Sequence, residues 1–382
     1  MAASIKVDRA FLNAETDFGL NMLRQSPVNE QLVVSPISVI FALTMVQAGA
    51  KGKTKRQINR VISKGATDDA IVEFYSNLAK ETLKASNGVQ TRIANAFFME
   101  WIIHRYFSKK YAIEEEYADT ITQKYSAKVE ALDFGKAKQT AQTIDAFVSE
   151  NTAGKIKNLI KEDTVKDAFS LIINAIYFSA EWEYEFSKCS SSKKIFYSTE
   201  NAKKEIEFLN EYRVFRYYAE DQDMQVLSLR YRDTTYAFNI ILPQKRFGLD
   251  ALRKELNGEG IQRVLSELEL TYMTISIPKM KVETDFKLKE ALIAMGVTEM
   301  FSDYADLTGI SKAPSLKVSD AAHKAIFEID EEGTTAAAAT SLRKIPASFI
   351  SQSGEPQEFI ADQPFIFILT KSGNPLFMGQ FV

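Results

Sequence analysis

The chain has 382 residues, 46% of them hydrophobic and 25% charged, and a formal net charge of -3. That is enough apolar material for a large core and too little charge of one sign to hold nucleic acid or an anionic membrane. Cys189 is the only cysteine, which excludes an internal disulfide and a thiolate metal site and fits a reducing compartment.

Near the start, Lys6, Asp8, Arg9, Glu15 and Asp17 break the apolar run that a signal peptide needs, so cytoplasmic residence is expected. Phe11, Phe18, Leu20, Met22 and Leu23 recur near helical intervals. Ser35-Pro36 opens a second helix, apolar nearly all round and therefore buried. Polar Ser35, Ser38, Thr44 and Gln47 argue against a membrane span in the apolar stretch 31–50. The spacing predicts amphipathic helices over 68–84 and 137–151, the second stopping near Gly154. Strand pattern follows. Residues 170–178 (SLIINAIYF) read as a central buried strand in which Asn174 is anomalous. Strands are predicted over 224–232, 235–243 and 270–278, and over 364–370 and 376–382 around the turn signal Ser372-Gly373-Asn374-Pro375. With no internal repeat and no Pro/Ser-rich spacer, residues 1–382 read as a single mixed α+β domain.

Only two histidines are present, His104 and His323, and no H-E-x-x-H, P-loop or G-x-S-x-G spacing occurs. No cofactor, metal site or enzyme activity is therefore expected. His104 reads as a partly exposed histidine in the aromatic stretch 101–107. A hydrolase using His323 with a serine and Asp330 lacks a nucleophile elbow and an oxyanion glycine pattern. Asp330-Glu331-Glu332 alone reads as a solvated acidic run, and Lys51, Lys53, Lys55 and Arg56 as a solvated turn too sparse for a glycosaminoglycan.

The informative segment begins at that acidic run: Glu331, Glu332, Gly333, Thr334, Thr335, Ala336, Ala337, Ala338, Ala339 and Thr340. An unbroken line of small side chains usually marks a linker or an alanine helix. A linker needs a domain beyond it, and only short strands remain after Pro364. A loop that is exposed yet able to enter a sheet explains the composition. Alternate residues of an inserting strand face inward, either Thr334, Ala336, Ala338, Thr340 and Leu342 or the complementary set. A bulky side chain there would cost about 1–3 kcal/mol in overpacking.

These residues resemble the serpin family. The stretch 326–340 (IFEIDEEGTTAAAAT) is similar to the hinge of its inhibitory members, and 359–369 (FIADQPFIFIL) to its C-terminal signature. Segments 35–54, 151–160 and 173–186 resemble three further family blocks in the family's order. The likeness is greatest to the intracellular, ovalbumin-related branch. It implies one domain of about nine helices and three β-sheets, with a mobile reactive loop over about 331–358. It also implies inhibition of a serine, or alternatively cysteine, endopeptidase held as a covalent complex, by a chain that is monomeric. The alternative is a non-inhibitory relative acting as chaperone, carrier or storage protein. Ser35, Ser38, Asn174 and His323 match a polar cluster that controls strand separation, and Trp182 a tryptophan near the loop's point of entry. The family interval from Gly333 places the reactive bond at Ala347 and Ser348, and the long loop allows a shift as far as Ser351.

Overall fold

Apolar spacing and caps place the helices of the computed structural model, which describes residues 9–101, 113–312, 315–334 and 354–382. Helix α1 (Arg9–Arg24) buries the predicted apolar set. Ser35 caps α2 (Pro36–Gly49) by accepting the Ser38 N–H at 3.3 Å, with Pro36 in the first turn, where its missing N–H costs nothing. Every residue of α2 except Ala48 is buried. Lys51, Lys53, Lys55 and Arg56 do not form a solvated turn: α3 (Gly52–Ser63) begins there, and Lys53 and Lys55 pair with Glu299 and Asp68 at 2.7 and 2.5 Å. Then come α4 (Asp68–Leu83), α5 (Glu115–Tyr125), α6 (Ala137–Asn151), α7 (Glu162–Val165), α8 (Leu249–Glu255), α9 (Gly258–Ser266) and α10 (Leu288–Ala294). That makes ten α-helices among the described residues, close to the number expected.

The smaller sheet runs in the order β10 (Met280–Phe286), β11 (Asp320–Ile329), β12 (Gly333–Thr334), β4 (Ser170–Glu181), β2 (Val89–Glu100) and β3 (Lys128–Leu132). The larger is β1 (Leu32–Val34), β15 (Asn374–Phe381), β14 (Phe365–Lys371), β8 (Tyr236–Pro243), β7 (Met224–Arg230), β6 (Lys203–Glu220), β9 (Glu269–Pro278) and β13 (Gln357–Ile360). β5 (Ser192–Tyr197) pairs with β6. Two of the three expected sheets are hydrogen-bonded into one through β6, whose register shifts between Glu211 and Val214.

Both faces of β4 are covered, which is why its sequence is continuously apolar. Ile172, Ile176, Phe178 and Ala180 point into the main core, where α2 packs between β4 and β2 on one side and β15 on the other. Leu171, Ile173 and Ala175 point the other way, into a second cluster with Ile144 and Val148 of α6. No described helix is long and apolar enough to cross a membrane.

Candidate functional site

One register level of the smaller sheet carries a row of polar side chains. Asn95 of β2 lies opposite Asn174 of β4, and Asn174 opposite His323 of β11. The start of α2 lies beneath the row with Ser35 and Ser38. All five side chains are buried, so each needs partners. Asn174 finds all of its own: its amide donates to the Ser38 carbonyl at 2.9 Å and to Asn95 Oδ1, while its Oδ1 accepts from Ser38 Oγ at 3.0 Å and from His323 Nδ1.

His323 Nε2 accepts the Ser35 N–H at 3.0 Å, so that nitrogen is bare and the ring's proton sits on Nδ1. Burial depresses the imidazole to a pKa of about 3 and keeps it neutral. Ser35 Oγ donates to the Leu376 carbonyl at 2.6 Å, tying the cluster to β15. The His323–Asn174 bond bridges the two strands side by side, and β11 and β4 are parallel neighbours only from Asp320/Leu171 to Ala325/Ile176. Above that level they part.

β12 occupies the gap. Gly333 and Thr334 pair antiparallel with Glu181 and Ala180 of β4, and Thr334 pairs with Ile329 of β11. A Cβ on Gly333 would fall on the Ala180 carbonyl oxygen, so only glycine fits at this approach. Thr334 is fully buried, its hydroxyl 2.5 Å from that of Tyr231. Burial pushes the Tyr231 phenol up, so it remains protonated.

The preceding acidic run is fixed rather than solvated. Asp330 Oδ1 accepts the N–H groups of Glu332 and Gly333 at 2.9 and 3.1 Å. Glu331 accepts from Ser191 at 2.8 Å and Lys279 at 3.0 Å, and Glu332 from Lys188 at 2.7 Å. Burial raises the Glu331 pKa, but its backbone N–H, Lys279 and Ser191 outweigh that and hold it below the usual carboxylate value. Trp182 holds the bend from the side: its backbone N–H donates to the Glu332 carbonyl at 3.0 Å and its indole N–H to that of Asp330 at 2.9 Å. Its ring stacks on Tyr231 with centroids 4.5 Å apart.

The structure thus brings Ser35, Ser38, Asn174 and His323 into one cluster, and Trp182, Glu331, Glu332, Gly333 and Thr334 into another above it. Thr335, Ala336, Ala337, Ala338, Ala339, Thr340, Ala347, Ser348, Ser351 and His104 lie outside the described residues. Sequence reasoning passed over Asn95, Tyr231, Lys188, Ser191 and Lys279. Asn95 carried a signal, a lone amide in the apolar run IANAFF. The other four carried none. No group of three or more metal-ligating side chains occurs among the described residues.

The site is thus the middle of the smaller sheet, where β11 and β4 are bonded at one level and spread above it around β12. The chain belongs to the serpin family: the family model described as Serpin (serine protease inhibitor) matches residues 13–382. It is 30% identical to human Serpin B4, over 96% of this chain and 98% of that one. Iripin-8 of Ixodes ricinus is 32% identical, over 96% and 92%. Among solved structures, uncleaved ovalbumin superposes with a TM-score of 0.86 at 27% identity, covering 97% of this chain and 99% of that one. This agrees with the ovalbumin-like character of the sequence.

Proposed function

We propose that the chain, acting as one domain and as a monomer in the cytoplasm, inhibits an endopeptidase by serving as its suicide substrate. The observation that carries this reading is Thr334, first of the small-residue tract, already seated between β4 and β11. A serine or cysteine of the target attacks the carbonyl of Ala347. An ester or thioester forms, the peptide C–N bond breaks, and Ser348 becomes the amino terminus of the released end; a shift toward Ser351 leaves the chemistry unchanged.

The freed strand then continues the register that Gly333 and Thr334 begin. With Thr334 opposite Ala180, an antiparallel strand sets Ala336 against Phe178, Ala338 against Ile176, Thr340 against Asn174 and Lys344 against Ser170. The inward-facing residues are thus small down to the polar row, where a threonine arrives. To pass, the strand must break the His323–Asn174 bridge, and this makes that bond the latch. The acyl-linked enzyme travels with the strand and is trapped if insertion outruns deacylation.

Incubation with a panel of serine and cysteine proteases tests the reading. The expected result is an adduct stable on denaturing gels, with a C-terminal fragment whose mass begins at 348–352. Repeated turnover of the loop with no adduct by every protease would point instead to a non-inhibitory carrier or chaperone.

A further inference from the structure

β9 presents two unlike faces. Met273 and Ile275 are fully buried on one. On the other, Tyr272 lies opposite Phe215 of β6 with ring centroids 5.3 Å apart, and Leu270 opposite Tyr217. Leu270 is 51% exposed, and Ile360 of β13 extends the same face at 44%. The Arg230 guanidinium lies 3.7 Å from the centre of the Tyr217 ring. Exposed apolar groups gathered on one face mark contact surfaces, and Tyr and Arg are the side chains that most often anchor them.

We propose that this face is a second contact surface for the endopeptidase that cuts the loop, receiving an apolar rim of the enzyme beside its active-site cleft. The inference rests on the reading under Proposed function. It follows from where the loop returns to the fold. β13 is parallel to β9, with Gln357 opposite Met273, so β13 begins toward the end of β9 that carries Tyr272 and Leu270. Ala347 and Ser351 precede Gln357 by 10 and 6 positions, which is at most about 20–36 Å of extended chain. A protease domain of about 200 residues is roughly 40 Å across, from a radius of gyration of about 16 Å. The tether is shorter than the enzyme is wide. An enzyme with its cleft on the reactive bond therefore lies over the Tyr272–Leu270 end of the face, and its rim buries those side chains.

The test compares the full-length chain with the double variant Leu270→Ala/Tyr272→Ala and with Tyr272→Phe, against the protease that forms the adduct fastest. The second-order rate constant of adduct formation is expected to fall about tenfold in the double variant and to stay near wild type in Tyr272→Phe. Stoichiometry and thermal midpoint are expected to hold, showing that loop and fold are intact. An unchanged rate constant with the adduct still forming overturns the contact surface and leaves the inhibitory reading standing. If wild type is cut without being trapped, the inhibitory reading fails. The surface is then read as a fall in kcat/KM for loop cleavage, and an unchanged kcat/KM overturns it too. A chain that no protease traps or cuts overturns both.

Discussion

Protonating His323 would put the ring's second N–H on Nε2, the atom that now receives the Ser35 N–H, setting donor against donor beside the His323–Asn174 bond. Above about pH 6.5 the ring is neutral in both folded and unfolded chains and does not affect their balance. Below that the unfolded chain takes up a proton that the buried ring, with a pKa of about 3, refuses. The native state then loses about 1.4 kcal/mol per pH unit from this one group. Glu15 of α1 acts with the opposite sign. Its carboxyl is fully buried, neither oxygen has a hydrogen-bond partner, and burial raises its pKa well above the usual value. As pH rises past the ordinary carboxylate range, the unfolded chain releases a proton that the folded one keeps, so stability falls until the folded group itself ionises. Urea unfolding midpoints are accordingly expected to pass through a maximum with pH. Glu15→Leu, which removes an unpaired buried polar group worth about 1–3 kcal/mol, should raise the midpoint and flatten the alkaline limb while leaving the acid limb in place. An alkaline limb unchanged in that variant would show that Glu15 does not cause it.

Among the elements, β12 is the one on which the proposed insertion depends for its start. Thr334 is enclosed by β4, β11 and Tyr231, so Thr334→Arg would force a long charged side chain into a space that threonine already fills. The expected outcome is at least a tenfold loss of adduct, with the loop still cut at the same bond. Thr334→Val keeps the shape, leaves the buried Tyr231 hydroxyl without its Thr334 partner at a cost of about 1–3 kcal/mol in stability, and should still trap; equal trapping by the arginine variant would remove β12 from the mechanism. How well such elements read from sequence varies with what surrounds them. The spacings over 68–84 and 137–151 meet α4 and α6 almost residue for residue, because one face of each is solvated and the periodicity is clean. The long β6 escapes notice because the irregularity between Glu211 and Val214 breaks its period of two. Asn174 and His323 stand out because they are polar in apolar runs, and Asn95 carries the same mark. Tyr231 is the ordinary end of a β-strand region, its partner Thr334 lies 103 residues away, and nothing local announces the pair.

For the whole molecule, the direction of pairing would supply a driving force for the proposed insertion. β4 and β11 run parallel to each other, and β12 runs antiparallel to both. A strand continuing from β12 would therefore exchange one parallel ladder, the weaker kind, for two antiparallel ones. In the intact chain the far end is held at β13 against β9, which opposes this exchange. Cutting anywhere from Ala347 to Ser351 releases that end. The nicked protein, both fragments present, is then expected to be more stable than the intact one by several kcal/mol. For a chain of this size the melting midpoint should rise on the order of 10 °C, against the usual direction in which a break in the backbone moves it. Differential scanning calorimetry before and after limited proteolysis reads the change directly. The Thr334→Arg chain, nicked at the same bond, supplies the control: with its first inward position blocked it should show little or no rise. A midpoint that stays put in the nicked wild type would mean that the sheet holds no unused free energy, and the gap around β12 would then be only the place where a loop leaves the fold.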